Sequence, residues 1–177
     1  MYSPWRGDET RRHDTDGLSR PDLMETVAAP SPGKFQILLV DDNEGDAKLF
    51  ELALREAAPR VKLYWVGTAS EGIEYLQQKN HFRNVGPVDL VMCDLNMPAM
   101  TGFEFVAKVK SDAALKITPL VIYSSSASLV DIRRCYLLGA NSYISKPMTM
   151  GMMVQQLKAL VHYWLEIASL PGPAMLD

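Results

Sequence analysis

The chain carries only two cysteines, Cys93 and Cys135, and neither has a second ligand-type residue at metal-binding spacing. Cys93 lies inside an apolar run, so both read as small buried hydrophobes of a reducing cytosol rather than as a disulfide. No uninterrupted apolar run approaches the roughly 20 residues needed to cross a bilayer. The opening stretch MYSPWRGDETRRHDTDG is charged throughout, which argues against a secretory signal and for a cytoplasmic protein. A positive field is missing as well. The net charge of -3 offers nothing to attract nucleic acid or an anionic membrane, and neither is expected as a partner. Phosphate-cradling loops are also absent: GTASEG, residues 67 to 72, has the two glycines of a P-loop, but Ile73 stands where lysine is required, and no G-x-G-x-x-G occurs.

What remains is one globular domain. A length of 177 residues with 47% apolar content leaves no room for a second full domain. Residues 1–34 mix both signs of charge with Pro4, Pro21, Pro30 and Pro32 and show no sustained period, which predicts a mobile arm. From Phe35 the character changes. Short apolar runs (ILLV, VKLYWV, DLVMC, PLVIY, SYIS) alternate with amphipathic stretches (EGDAKLFELALREAA, TASEGIEYLQQK, GFEFVAKVK, SLVDIRRCYLLG and a last one from Thr149 to about Ala168). Five strands alternating with five helices predict an α/β fold, a parallel sheet with helices on both faces. ILLV and LVMC lack period-2 alternation, as strands buried on both faces require, whereas VKLYWV alternates and suits an edge. The segment QQKNHFRNVGP is long and polar enough for an exposed loop, and His81 within it reads as a solvated side chain.

In an open parallel sheet, ligands collect beyond the carboxyl ends of the strands. Asp41 and Asp42 end the first strand, Asp94 the third, Ser124 and Ser125 the fourth, and Lys146 the fifth. Three carboxylates, hydroxyls and an ammonium thus converge on one edge. Clustered carboxylates repel one another unless a cation holds them, and a hard divalent ion such as Mg²⁺ takes such oxygens readily. One carboxylate can then attack phosphorus while the cation and Lys146 neutralise the incoming oxygens and a strand-end hydroxyl hydrogen-bonds the product.

These residues carry a resemblance. With DD after the first strand, DLNMPAMTG after the third, a hydroxyl residue after the fourth and KP after the fifth, the chain from Phe35 to Ala168 resembles the receiver domain of two-component response regulators. The intervals are similar to the family's: 8 residues from Asp94 to Gly102, 30 from Asp94 to Ser124 and 22 from Ser124 to Lys146. The resemblance implies a flavodoxin-like sheet of order 2-1-3-4-5, with a domain over 35–168 and a tail over 169–177. It implies Asp94 as phosphoacceptor for a sensor histidine kinase. Asp42 would bind Mg²⁺ directly, Asp41 through water and Asn96 through its backbone carbonyl, with Asp94 completing the set. Lys146 would pair with the phosphate, Ser124 would be the switch hydroxyl, and Tyr143 the aromatic that turns inward with it. Side chains at Asn96 and Ser126 would tune loss of the phosphate, and the Lys146–Pro147 bond would be cis.

The longer loop, the DNEGDAKLFELAL helix and the ending HYWLEIASLP look like the single-domain regulators paired with bacterial phytochromes, so no output domain is expected. The last helix outlasts the usual receiver core, and some of Tyr163, Trp164 and Leu165 would then have no surface of their own to cover. An exposed apolar patch of that kind predicts a homodimer contact. Two other readings compete: a haloacid-dehalogenase-type phosphohydrolase, which wants a second Asp where Asn96 stands, and a scaffold that is never phosphorylated.

Overall fold

The computed structural model describes residues 35–172. The arm expected over 1–34 and the last five residues of the tail lie outside the described residues. Five strands, β1 (Gln36–Val40), β2 (Lys62–Val66), β3 (Leu90–Cys93), β4 (Leu120–Ser124) and β5 (Ser142–Ser145), alternate with five helices, α1 (Glu44–Ala57), α2 (Ala69–Leu76), α3 (Gly102–Ser111), α4 (Leu129–Leu137) and α5 (Met150–His162). All strand pairs are parallel and the order is β2-β1-β3-β4-β5, as the resemblance implied.

The sheet is sided because successive side chains point to opposite faces. Ile37 and Leu39 of β1 join Met92, Val121 and Tyr123 under α1 and α5, where Phe50 and Leu157 complete one core. Leu38 and Val40 join Val91, Cys93, Leu120 and Ile122 under α2, α3 and α4, with Phe105 at the centre of the other. β3 and β4 are buried along their whole length, whereas the edge strands β2 and β5 are only partly covered. This matches the lack of alternation in the central runs. Both cysteines are buried and free.

Each helix starts on a side-chain cap. Asn43 accepts from the backbone of Gly45 and Asp46, Thr68, Ser128 and Thr149 cap α2, α4 and α5, and Thr101 with Glu104 forms a reciprocal capping box on α3. After α4, Gly139 takes φ +98°, the left-handed turn that ends a helix without a Cβ clash.

Three sequence expectations are corrected or sharpened. The QQKNHFRNVGP segment holds a 3-10 turn over Asn80–Phe82, and Phe82 and Val85 pack on the core, while Lys79, Asn80, His81, Arg83, Asn84 and Pro87 stay in solvent. His81 is exposed, with its ring 3.8 Å from that of Phe82. Among the described residues no peptide is cis, so Lys146–Pro147 is trans, the isomer favoured by about 0.5–1 kcal/mol.

The third concerns the end of the last helix. α5 widens into one π-helical turn, Tyr163–Ile167, closed by the Ala168 N–H donating to the Tyr163 carbonyl at 2.7 Å. Trp164 and Leu165 continue the Leu157, Leu160 and Val161 face of α5 onto the α1/α5 core, where both are half-buried. Tyr163 and Ile167 are the exposed members, at 51% and 62%.

Candidate functional site

The carboxyl ends of β1 and β3 lie side by side, because the register pairs Val40 with Cys93. Asp41, Asp42 and Asp94 follow directly, and one oxygen from each lies within 4.8 Å of the others. Asp41 and Asp94 are buried and Asp42 is exposed. Gly102, at the start of α3, is what lets the loop after β3 close: a Cβ there would collide with the Asp94 carbonyl oxygen. The Gly102 N–H donates to the Leu95 carbonyl at 3.0 Å, and Ala99 adopts φ +65° to complete the return.

The carboxylates are held differently. Asp41 accepts the Asn43 N–H on Oδ1 at 2.9 Å and the Lys146 ammonium on Oδ2 at 2.8 Å. Its backbone carbonyl accepts the Trp65 indole N–H at 2.8 Å, an edge-strand contact that sequence pattern does not reveal. Asp94 accepts the Asn96 N–H on Oδ2 at 3.0 Å, but Oδ1 is buried without a hydrogen-bond partner. Lys146 Nζ stands 3.7 Å from that oxygen. It is much closer to Asp46 Oδ2, at 2.7 Å. Asp46 was not among the expected site residues, although it follows Asp42 by one helical turn.

Burial pushes the Asp41 carboxyl above its ordinary range, against the pull of the Lys146 and Asn43 hydrogen bonds. For Lys146 burial works against the charge, yet the hydrogen bonds it donates to Asp41 and Asp46 outweigh that and hold the ammonium protonated well above its usual range. A buried acid pair, one oxygen of it orphaned, is the donor set that a hard divalent cation fits.

The hydroxyl side of the site sits on β4 and β5. Ser124 is fully buried, and the Cys93–Ile122 register brings it to the same end of the sheet as Asp94. Its Oγ accepts a long contact from the Ser126 N–H at 3.5 Å, and its carbonyl accepts the Lys146 N–H at 2.8 Å. The half-buried Tyr143 donates its hydroxyl to the Ser126 carbonyl at 2.8 Å. Ser126 Oγ in turn donates to Asp131 of α4 at 2.7 Å. Ser125 and Asn96 are exposed.

Residues 37–158 match the family model described as the response regulator receiver domain. The chain belongs to the response regulator receiver family. The receiver is 30% identical to the probable methanogenesis regulatory protein FilR2 of Methanothrix harundinacea over 89% of this chain and 98% of that protein. Its fold is similar to the crystal structure of the phosphorylated cyanobacterial phytochrome response regulator RcpA, with 34% identity and a TM-score of 0.73 over 78% of this chain and 99% of that one. The Mn²⁺-bound form of Rcp1, a response regulator of Synechocystis, matches at 28% identity and a TM-score of 0.69 over 77% and 98%. Receiver domains bind a divalent metal, and this receiver carries a cluster of three carboxylates that could hold one. No helix among the described residues is long and apolar enough to cross a membrane.

Proposed function

We propose that this receiver accepts a phosphoryl group on Asp94 from the phosphohistidine of a cytoplasmic sensor histidine kinase. A bacteriophytochrome is the kinase that the likeness to RcpA and to the bacteriophytochrome response regulator AtBRR favours. One observation carries the reading: Asp94, clustered with two further carboxylates, keeps Oδ1 buried and without a hydrogen-bond partner, 3.7 Å from the Lys146 ammonium. A structural aspartate in that position would be satisfied by a donor.

Asp94 attacks phosphorus, a P–O bond forms as the P–N bond to the donor imidazole breaks, and the electron pair stays on that ring nitrogen, which takes its proton from solvent. Magnesium is the ion this donor set suits, and when bound it supplies the charge that neutralises the three phosphoryl oxygens. Asp42, Asp94 and the Asn96 backbone carbonyl would hold it, with Asp41 assisting through water. Lys146 pairs with the phosphate, and Ser124 donates its hydroxyl to a phosphoryl oxygen. As Ser124 moves, its contact with the Ser126 N–H is lost and the Tyr143–Ser126 bond loses its anchor, so Tyr143 turns inward. Asn96 and Ser126 border the path of an attacking water and tune the lifetime of the acyl phosphate. The signal leaves through surfaces of the receiver itself, including a homodimer contact built on Tyr163 and flanked by the half-buried Trp164 and Leu165.

Incubation with a small phosphodonor and Mg²⁺ tests this reading by intact mass. The expected result is one added phosphoryl group, absent in Asp94→Asn. Turnover of phosphomonoesters would favour a hydrolase instead, and no reaction at all would favour an unphosphorylated scaffold. For the dimer, Tyr163→Ala should lower the apparent mass in size exclusion, and an unchanged elution would remove that contact.

A further inference from the structure

The reading of Asp94 as acceptor leaves one charged group without a task. Asp46 sits in the first turn of α1, its N–H capped by Asn43 at 3.1 Å, and its Oδ2 lies 2.7 Å from Lys146 Nζ. An ammonium has three N–H donors. Two are taken by Asp46 and Asp41 at 2.7 and 2.8 Å, and the distance to Asp94 Oδ1 is 3.7 Å. The lysine of the site is therefore bonded to two bystander acids and stands off the reacting one.

The two bystanders differ. The Asp41 side chain is 2% exposed and cannot recover water if its cation leaves, whereas that of Asp46 is 40% exposed and can. Asp46 also lies at a helix N-terminus, which stabilises a carboxylate on its own. The Lys146 backbone is fixed by its N–H on the Ser124 carbonyl at 2.8 Å, so the ammonium can move only by rotation of its side chain.

We propose that Asp46 is a positioning residue that competes with the phosphoryl group on Asp94 for the Lys146 ammonium. Without phosphate it parks Nζ beyond hydrogen-bond reach of Asp94. A phosphoryl group brings close to two negative charges and three strong acceptor oxygens, draws Lys146 across, and leaves Asp46 to solvent. This proposal rests on the phosphoacceptor reading of Asp94.

The test is equilibrium binding of beryllium fluoride, a phosphoryl analogue, to the full chain at saturating Mg²⁺, followed by ¹⁹F NMR. Asp46→Asn and Asp46→Ser should each tighten binding about two- to fivefold, the scale of an exposed ion pair. Glu44→Gln removes the same charge from the same helical turn, where Glu44 pairs with Lys48 rather than Lys146, and should leave the affinity unchanged. In a Lys146→Ala background, Asp46→Asn should produce no gain, because the coupling runs through the ammonium. Equal gains from Glu44→Gln, or a gain that persists without Lys146, would reduce Asp46 to a general field effect and overturn the proposal. Unchanged affinity in both Asp46 variants would overturn it as well. If the wild-type chain binds no beryllium fluoride, the phosphoacceptor reading itself fails and this inference goes with it.

Discussion

Asp94→Asn in the metal-free protein sets three effects against one another. The buried Asp41 and Asp94 carboxylates repel across at most 4.8 Å, about 3.5 kcal/mol at an effective dielectric of 20. Lys146 attracts Asp94 across 3.7 Å, about 4.5 kcal/mol on the same footing. Asp42 is exposed and screened, so its share is small. The Coulomb terms therefore nearly cancel, and the deciding term is the buried, unpartnered Oδ1, worth about 1–3 kcal/mol of desolvation. An amide keeps the acceptor for the Asn96 N–H and carries no buried charge to desolvate. We expect Asp94→Asn to stabilise the chelator-treated protein by about 1 kcal/mol, raising the melting midpoint by about 2–4 °C. Saturating magnesium should invert the order, because a ligand at 100 times its Kd stabilises the wild-type fold by about 2.7 kcal/mol and the variant has lost a metal ligand. Differential scanning calorimetry with chelator and with Mg²⁺ measures both. A variant less stable than wild type in chelator, or equal gains from Mg²⁺ in both proteins, would refute the reasoning.

Other substitutions probe the supports of the site. Gly102→Ala must push the α3 N-terminus off the Asp94 carbonyl; a loss of about 1–3 kcal/mol in urea titration and slower phosphorylation of Asp94 are expected. Phe50→Ala empties the α1/α5 core and strips the edge-on partner of Tyr123, and should cost about 3–5 kcal/mol in the same titration. The thiols should be silent: burial pushes Cys135 up to about 11 and Cys93 well above its ordinary value, so a thiol reagent at pH 8 should label neither until denaturant is added.

The sheet was legible because the central runs ILLV, LVMC and LVIY have no polar side to offer solvent, and only strands covered on both faces use such runs. The acid cluster was legible because strand ends in a parallel sheet share one edge, so Asp41, Asp42, Asp94, Ser124 and Lys146 could be placed together without knowing a distance. Contacts that depend on side-chain reach were not. Asp46 meets Lys146 across 100 positions, and nothing local marks a first-turn helix acid as more than dipole compensation. The same holds for the Trp65 indole on the Asp41 carbonyl and for the Ser126–Asp131 bond that ties the loop after β4 to α4. At the chain's last helix a 3.6-residue period cannot foresee a π turn. What the period did give is the face: Trp164 and Leu165 follow Leu157 and Val161 onto the domain's own core, and Tyr163 and Ile167 lie outside.

The central claim is that Asp41, Asp42 and Asp94 surround one divalent ion beside the phosphoacceptor. Anomalous diffraction from crystals soaked in Mn²⁺ tests it most directly. The account predicts a single strong peak bonded to Asp42, Asp94 and the Asn96 carbonyl, with Lys146 Nζ outside the coordination sphere. A peak elsewhere on the molecule, or none at saturating metal, would contradict it.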